Sequence, residues 1–249
     1  SVADAVLTDM KITPVAANGV QSDSSTDLRL SNLVIDGGVN GLNTTSGQSD
    51  GLVIAGCDVL NQSGSGLSIA HSGTIVIQNN KIHDISGTST TYGIRLSNSA
   101  ATGDFRVINN EIYDLTQTGA NIVYGIEASF YRTALIQNNF IHDLFATGDT
   151  TGRAIGIGYN AAGLAATSVI GNTVINILSL NSALYSDGLS VGILMSQDNE
   201  AVESNSVKAC DVGIHVLSSA VDKAYVSGNF AQDNGQLIDR GGCESATPP

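Results

Sequence analysis

The chain has 249 residues, 42% hydrophobic but only 5% aromatic, with 28 Gly, 3 Pro and no Trp. This composition supplies a large aliphatic core and many tight turns, and no charge block, Pro-rich run or low-complexity tract marks a linker. A formal net charge of −13 argues against nucleic acid, which needs Lys and Arg to replace counterions, and disfavours anionic membranes and, unless a metal ion or a local Arg cluster intervenes, strongly anionic polysaccharides, and no apolar run approaches the ~18 residues of a membrane span.

Taken in order, the chain repeats itself. Ile77-Gln-Asn-Asn-Lys-Ile-His-Asp84 is followed by Tyr92-Gly-Ile-Arg-Leu96. Ile108-Asn-Asn-Glu-Ile-Tyr-Asp114 is followed by Tyr124-Gly-Ile-Glu-Ala128, and Ile136-Gln-Asn-Asn-Phe-Ile-His-Asp143 by Ile155-Gly-Ile-Gly-Tyr159. One column of the repeat is Asn: Asn32, Asn80, Asn110, Asn139, Asn172, Asn205 and Asn229, with Cys57 substituting once. The other is Gly before an aliphatic residue: Gly19, Gly41, Gly66, Gly93, Gly125, Gly156, Gly192 and Gly213. Two columns in constant order, with a period between about 20 and 35 residues, mark a repeat architecture. Within each repeat Ile94 and Leu96 alternate with Arg95, the period of a strand, and helical spacing is absent. The expected fold is all-β: a single solenoid of short parallel strands, three per coil and about eight to nine coils, over residues 1–240, with a tail at 241–249 that lacks the repeat. Met10 and Pro14, at the Asn and Asp positions of the first coil, fit a cap.

The Asn column resembles the asparagine ladder of right-handed parallel β-helices, the pectate-lyase-like superfamily, whose members include phage tailspikes, alginate epimerases and adhesins. The physical basis is independent of the resemblance. A sharp turn between strands leaves backbone groups unpaired inside the coil, and stacked amides satisfy them. The resemblance covers about residues 5–238 and implies that the Gly-containing strand, the first strand in family terms, carries the binding face. The strands before and after Asn are then the second and third, and the return from third to first is the third turn. That turn lengthens coil by coil. From the Asn column to the next Gly the count is 13 from Asn80, 15 from Asn110, 17 from Asn139 and 20 from Asn172, then 8 from Asn205. A graded ridge of Ser-, Thr-, Asn- and Gly-rich loops beside the first strand is expected, placed where function is usually carried, although loop drift also costs little.

Parity places Ser68, Arg95, Glu127, Gly158, Leu194 and His215 on the outer face of the first strand. Arg95 and Glu127, on adjacent coils, are candidates for an acid/base pair or a sugar-binding pair, with a surface salt bridge worth ~0–1 kcal/mol as the alternative. Tyr131, Arg132, Asp149, Arg153, Tyr185 and Asp187 flank them, and with His215 they are the candidate ligand-binding residues. Tyr92 and Tyr124 share a column with Ile155, Val191 and Val212, so inward corner positions are expected in preference to sugar stacking. His83, Tyr113 and His142 form an expected outer ladder of rings, the two His too far apart to share a metal. Asp84, Asp114 and Asp143 stand either as turn residues or as a Ca²⁺ site. Cys210 and Cys243 are either a disulfide or free thiols, and Cys57 is expected to be buried.

Against the enzymes of the superfamily, no Lys lies on the first strand, and the Asn-Thr-Asp, Asp-Asp and Gly-His-Gly motifs of polygalacturonase-like hydrolases are missing. The resemblance therefore implies an extracellular or virion-surface recognition module that contacts a polysaccharide or a protein surface, with a homo-oligomer, a trimer by analogy with tailspikes. A polysaccharide lyase, epimerase or glycoside hydrolase using Arg95, Glu127 and loop carboxylates is the alternative. Leu194 and Leu217, outward by parity, would suit a protein contact.

Overall fold

The computed structural model describes residues 4–23, 25–48, 51–71, 73–97, 103–129, 133–148, 152–159, 166–180, 190–196, 200–216, 225–234 and 236–240. Among them the regular structure is entirely strand, arranged as three nine-stranded parallel sheets in which every third strand of the chain is a neighbour. The described residues thus wind a parallel β-helix of nine coils. The first sheet runs from Val20–Ser22 through Asn40–Gln48, Ser65–His71, Thr91–Ser97, Ile122–Ser129, Arg153–Tyr159, Ser190–Met195 and Val212–Val216 to Gln236–Arg240. The second holds the strands before the Asn column, such as Ile75–Gln78 and Asp104–Ile108. The third holds those after it, such as Lys81–Gly87 and Glu111–Gln117.

The alternation read from the sequence fills the coil. Ile94, Ile126 and Ile157 of the first sheet, Ile77, Val107 and Ile136 of the second, and Ile82, Ile112 and Ile141 of the third are all fully buried. Stacking identical branched residues at strand spacing makes one continuous aliphatic core. The Gly column has a steric cause. A Cβ on Gly125 would stand 2.6 Å from both Gly156 O and Ile141 Cγ2, and one on Gly93 would stand 2.5 Å from Ile112 Cγ2. The third-sheet Ile side chains occupy the space that a side chain would need. Gly93 and Ile94 are consecutive inward positions, and this bends the first strand.

The Asn-Asn pairs divide two tasks. The first residue of each pair, Asn79, Asn109 and Asn138, turns the chain with φ of 57°, 56° and 53°, a left-handed conformation that Asn tolerates. The second enters the ladder. Asn80 Nδ2 donates to Asn110 Oδ1 (2.9 Å), Asn110 Nδ2 to Asn139 Oδ1 (2.9 Å), and Asn139 Nδ2 to Asn172 Oδ1 (3.0 Å). The ladder continues through Asn205 to Asn229. Cys57 occupies the expected rung, buried, with its N–H donating to Asn80 Oδ1. Asn32 does not belong there. Val34 pairs with Asp58, so Leu33 is the residue in ladder register. Asn32 (φ 53°) is the turn residue before it, and its exposed amide donates to Asp9. A lone Asn carries no mark of which of the two positions it fills.

The third turn also differs from expectation. Its extra residues do not begin as loop. After a second left-handed column, Asp84, Asp114, Asp143 and Asn176, the strands resume, whereas at Asn61 of the same column the strand has already ended at Leu60. Ile85 pairs with Leu115, Leu115 with Leu144 and Leu144 with Ile177, and all four are fully buried. Ser86, Gly87, Thr116, Gln117 and Ala146 are therefore strand residues. The Asp column takes the turn role, with Asp84 bonded to His83 and Asp143 to His142 and Asn176. Among the described residues no group of three His, Cys, Asp or Glu side chains could hold a metal ion. The ring ladder forms as expected: His83, Tyr113 and His142 stack at 4.7 and 5.0 Å with nearly parallel planes. Cys57 and Cys210 are buried free thiols, and burial pushes Cys210 up to about 12. Cys243 and the rest of the 241–249 tail lie outside the described residues.

Candidate functional site

The bend at each Gly gives the first sheet an outer face of two columns. The residue before Gly contributes Asn40, Ser65, Tyr92, Tyr124, Ile155 and Val191, which pair in that order. The second residue after Gly contributes Gln21, Asn43, Ser68, Arg95, Glu127, Gly158, Leu194 and His215, also in one register. Tyr92 and Tyr124 are thus not inward corner residues. Thr91 and Val123, one position earlier, are the inward ones, both fully buried. The Tyr column instead builds a second apolar cluster outside the coil, in which Ile122, Tyr124 and Leu194 pack on Ile155, Val191 and Val212. Leu194 is consequently half-buried within that cluster.

The centre of the face is a compact group on two coils. The Tyr92 and Tyr124 rings stack at 5.5 Å with an interplanar angle of 6°. Arg95 Cζ lies 5.0 Å over the Tyr92 ring, a cation–π contact. Arg95 Nε stands 3.5 Å from Glu127 Oε2 in an ion pair, and neither atom makes a good hydrogen bond. Ser129 Oγ donates to Glu127 Oε1 at 2.8 Å. The Glu127 side chain is 13% exposed and that of Arg95 42%. Burial raises the Glu127 carboxyl above its ordinary value, and the Ser129 hydroxyl and Arg95 oppose that rise. Burial also pushes the Tyr124 phenol up to about 12, with the Glu127 charge adding to the effect. Gly158 completes the group. A Cβ there would come within 2.8 Å of Tyr124 Cε1, so the missing side chain is what lets the ring lie against the backbone.

Of the residues expected from sequence, Arg95 and Glu127 come together as a pair. Arg153 opens its strand beside Ile122, two positions before the Tyr column's Ile155, and its charge reaches Tyr124. His215 is buried on the same face, but three coils beyond Glu127, or about 14 Å by strand spacing. Tyr131, Arg132, Asp149, Tyr185, Asp187 and Leu217 lie outside the described residues. Sequence reasoning missed the amide end of the face. Asn40 Nδ2 donates to Asn18 Oδ1 (2.8 Å), while Asn18 Nδ2 (2.6 Å) and Asn43 Nδ2 (3.0 Å) both donate to Gln21 Oε1. The signal was present: these residues sit at the same offsets from Gly19 and Gly41 as Tyr92 and Arg95 do from Gly93.

The fold and this face define a right-handed parallel β-helix with a mixed polar and aromatic strip on its first sheet. A family model described as right handed beta helix region matches residues 1–174, and the chain belongs to that family. Comparison with curated proteins finds no match, and comparison with solved structures finds none.

Proposed function

We propose that this β-helix is a glycan-recognition module that acts outside the cell or on a virion surface and binds along the outer face of its first sheet. The carrying observation is the make-up of that face. Over five coils, Asn18, Asn40, Ser65, Tyr92 and Tyr124 run beside Gln21, Asn43, Ser68, Arg95 and Glu127, one residue of each column per ~4.8 Å of axis. A sugar chain offers hydroxyls and apolar ring faces in alternation. Amides, hydroxyls and a guanidinium suit the first, and Tyr side chains the second. The parallel strand pairing of the first sheet holds these groups in register before any ligand arrives, which limits the ordering cost of binding.

One observation favours a second reading. Glu127 is a largely buried carboxyl held above its ordinary value, as suits a general acid. A hydrolase also needs an opposing base or nucleophile. Among the described side chains of the two columns Glu127 is the one carboxylate, which supports binding over catalysis. The test is retention on a panel of immobilised polysaccharides, with and without calcium, followed by assays for new reducing ends and for unsaturated products. Retention without products is expected, and Tyr92→Ala should weaken it at least tenfold. Products that vanish in Glu127→Gln would replace this reading with the enzymatic one.

A further inference from the structure

We infer that the ligand of this face is a neutral glycan, recognised through its hydroxyls, and that polyuronates are rejected. The inference rests on the glycan reading above and adds the ligand's chemical class. Three observations carry it.

The first is charge. Along the described side chains of the two columns, from Asn18 and Gln21 to Val191 and Leu194, there is one cation and one anion, and they are paired. An anionic polymer needs a row of cations; beside the columns the described residues of the sheet add Arg153, whose charge reaches Tyr124, and the two arginines do not make such a row.

The second is the state of that single cation. Arg95 Nε and Glu127 Oε2 are buried against each other, and the guanidinium also lies over the Tyr92 ring. Glu127 is packed on a fixed strand and held by Ser129, so it does not leave Arg95 when a ligand arrives. A uronate carboxylate brought to Arg95 would meet a second carboxylate beside it, whereas a hydroxyl would meet a donor with its charge already offset. Like-charge juxtaposition is a common means of rejecting the wrong partner.

The third is the amide end. Asn18, Gln21, Asn40 and Asn43 form a connected chain in which each amide can both donate and accept. A hydroxyl has the same dual character, and a carboxylate accepts only. The chain ends on a carboxylate, with Gln21 Nε2 donating to Asp23 Oδ1, which adds a further negative charge at that end of the face.

The test is affinity electrophoresis at low ionic strength through gels containing neutral galactan, xylan, mannan or glucan, and through gels containing polygalacturonate or alginate. The wild-type protein should be retarded by at least one neutral polymer and by neither polyuronate. Glu127→Gln keeps the shape of the side chain and frees the Arg95 charge, so its affinity for polygalacturonate should rise at least tenfold. Arg95→Gln combined with Glu127→Gln should abolish that gain. Since a single charge is altered on a chain of −13, such a gain would locate the rejection at this pair and not in the overall field. Wild-type protein that binds a polyuronate as tightly as any neutral polymer would overturn the inference and leave the glycan reading standing. No retardation by any polymer would overturn both. The wild-type preference alone decides the matter if Glu127→Gln fails to fold.

Discussion

At the scale of single residues, the same side chain does different work one position apart. Asn79 bends the chain and Asn80 satisfies its interior. The residues in the left-handed turns are tied to each other as well. Asn176 Nδ2 donates to Asp143 Oδ1, and His142 Nδ1 bonds Asp143 Oδ2. Burial raises the Asp143 carboxyl, but these two bonds outweigh it and hold the group below its ordinary value of 3.8. A carboxyl lowered in the folded state stabilises the fold above its unfolded value, and that contribution disappears as pH falls through the folded value. Asn176→Gly keeps the backbone conformation and removes the amide. It should lower stability at pH 7 and cost less at pH 2, as measured by urea unfolding at both. An equal loss at the two pH values would mean that the amide acts without the Asp143 charge.

At the scale of elements, much was legible in the sequence and the limits have physical causes. Period-two alternation and the Gly column give three strands per coil, because both reflect how little room the interior has. The pair Arg95 and Glu127 was legible for the same reason: parity and coil order fix which outward residues are neighbours. The Tyr column was misread since its companions Ile155, Val191 and Val212 are apolar, and an apolar column suggests the core. The structure has a second apolar cluster outside the coil, and composition cannot tell one from the other. The third turn was misread as loop because Asp84, Asp114 and Asp143 interrupt the alternation. A left-handed residue shifts parity without ending the strand, and where the strand does not resume, an amide takes over: Gln62 donates to Ile35 O and Asn234 to Val207 O. Leu144 tests this account. As a buried strand residue, its replacement by Ala should cost about 2–5 kcal/mol in chemical unfolding; a loop position would cost less than about 0.5 kcal/mol.

At the scale of the whole molecule, each coil bonds only to the coil before and the coil after it, so stability is a sum over neighbours. The match to the right handed beta helix family covers residues 1–174, while the three sheets continue through strands ending at Ser227, Gln232 and Arg240. The coil count thus comes from pairing and not from family likeness. One consequence concerns heredity. The segment 109–137 is a full circuit between equivalent turn residues, Asn109 and Asn138. Its deletion would seat Arg153–Tyr159 on Thr91–Ser97 and Phe140 on Lys81; the ladder and the inward columns would close as before, with Asn80 on Asn139, Ile82 on Ile141 and Ile94 on Ile157, while Lys81 and Arg95 would lose Glu111 and Glu127. The shortened chain should keep its β circular dichroism and unfold cooperatively, and on the proposed glycan reading it should lose retention on polysaccharide, because Tyr124 and Glu127 go with the excised circuit; a chain that fails to fold would refute this interchangeability. A gene for such a protein can therefore gain or lose length by duplication and excision in whole turns, and each such event rewrites the outer strip of the first sheet while leaving the scaffold in place.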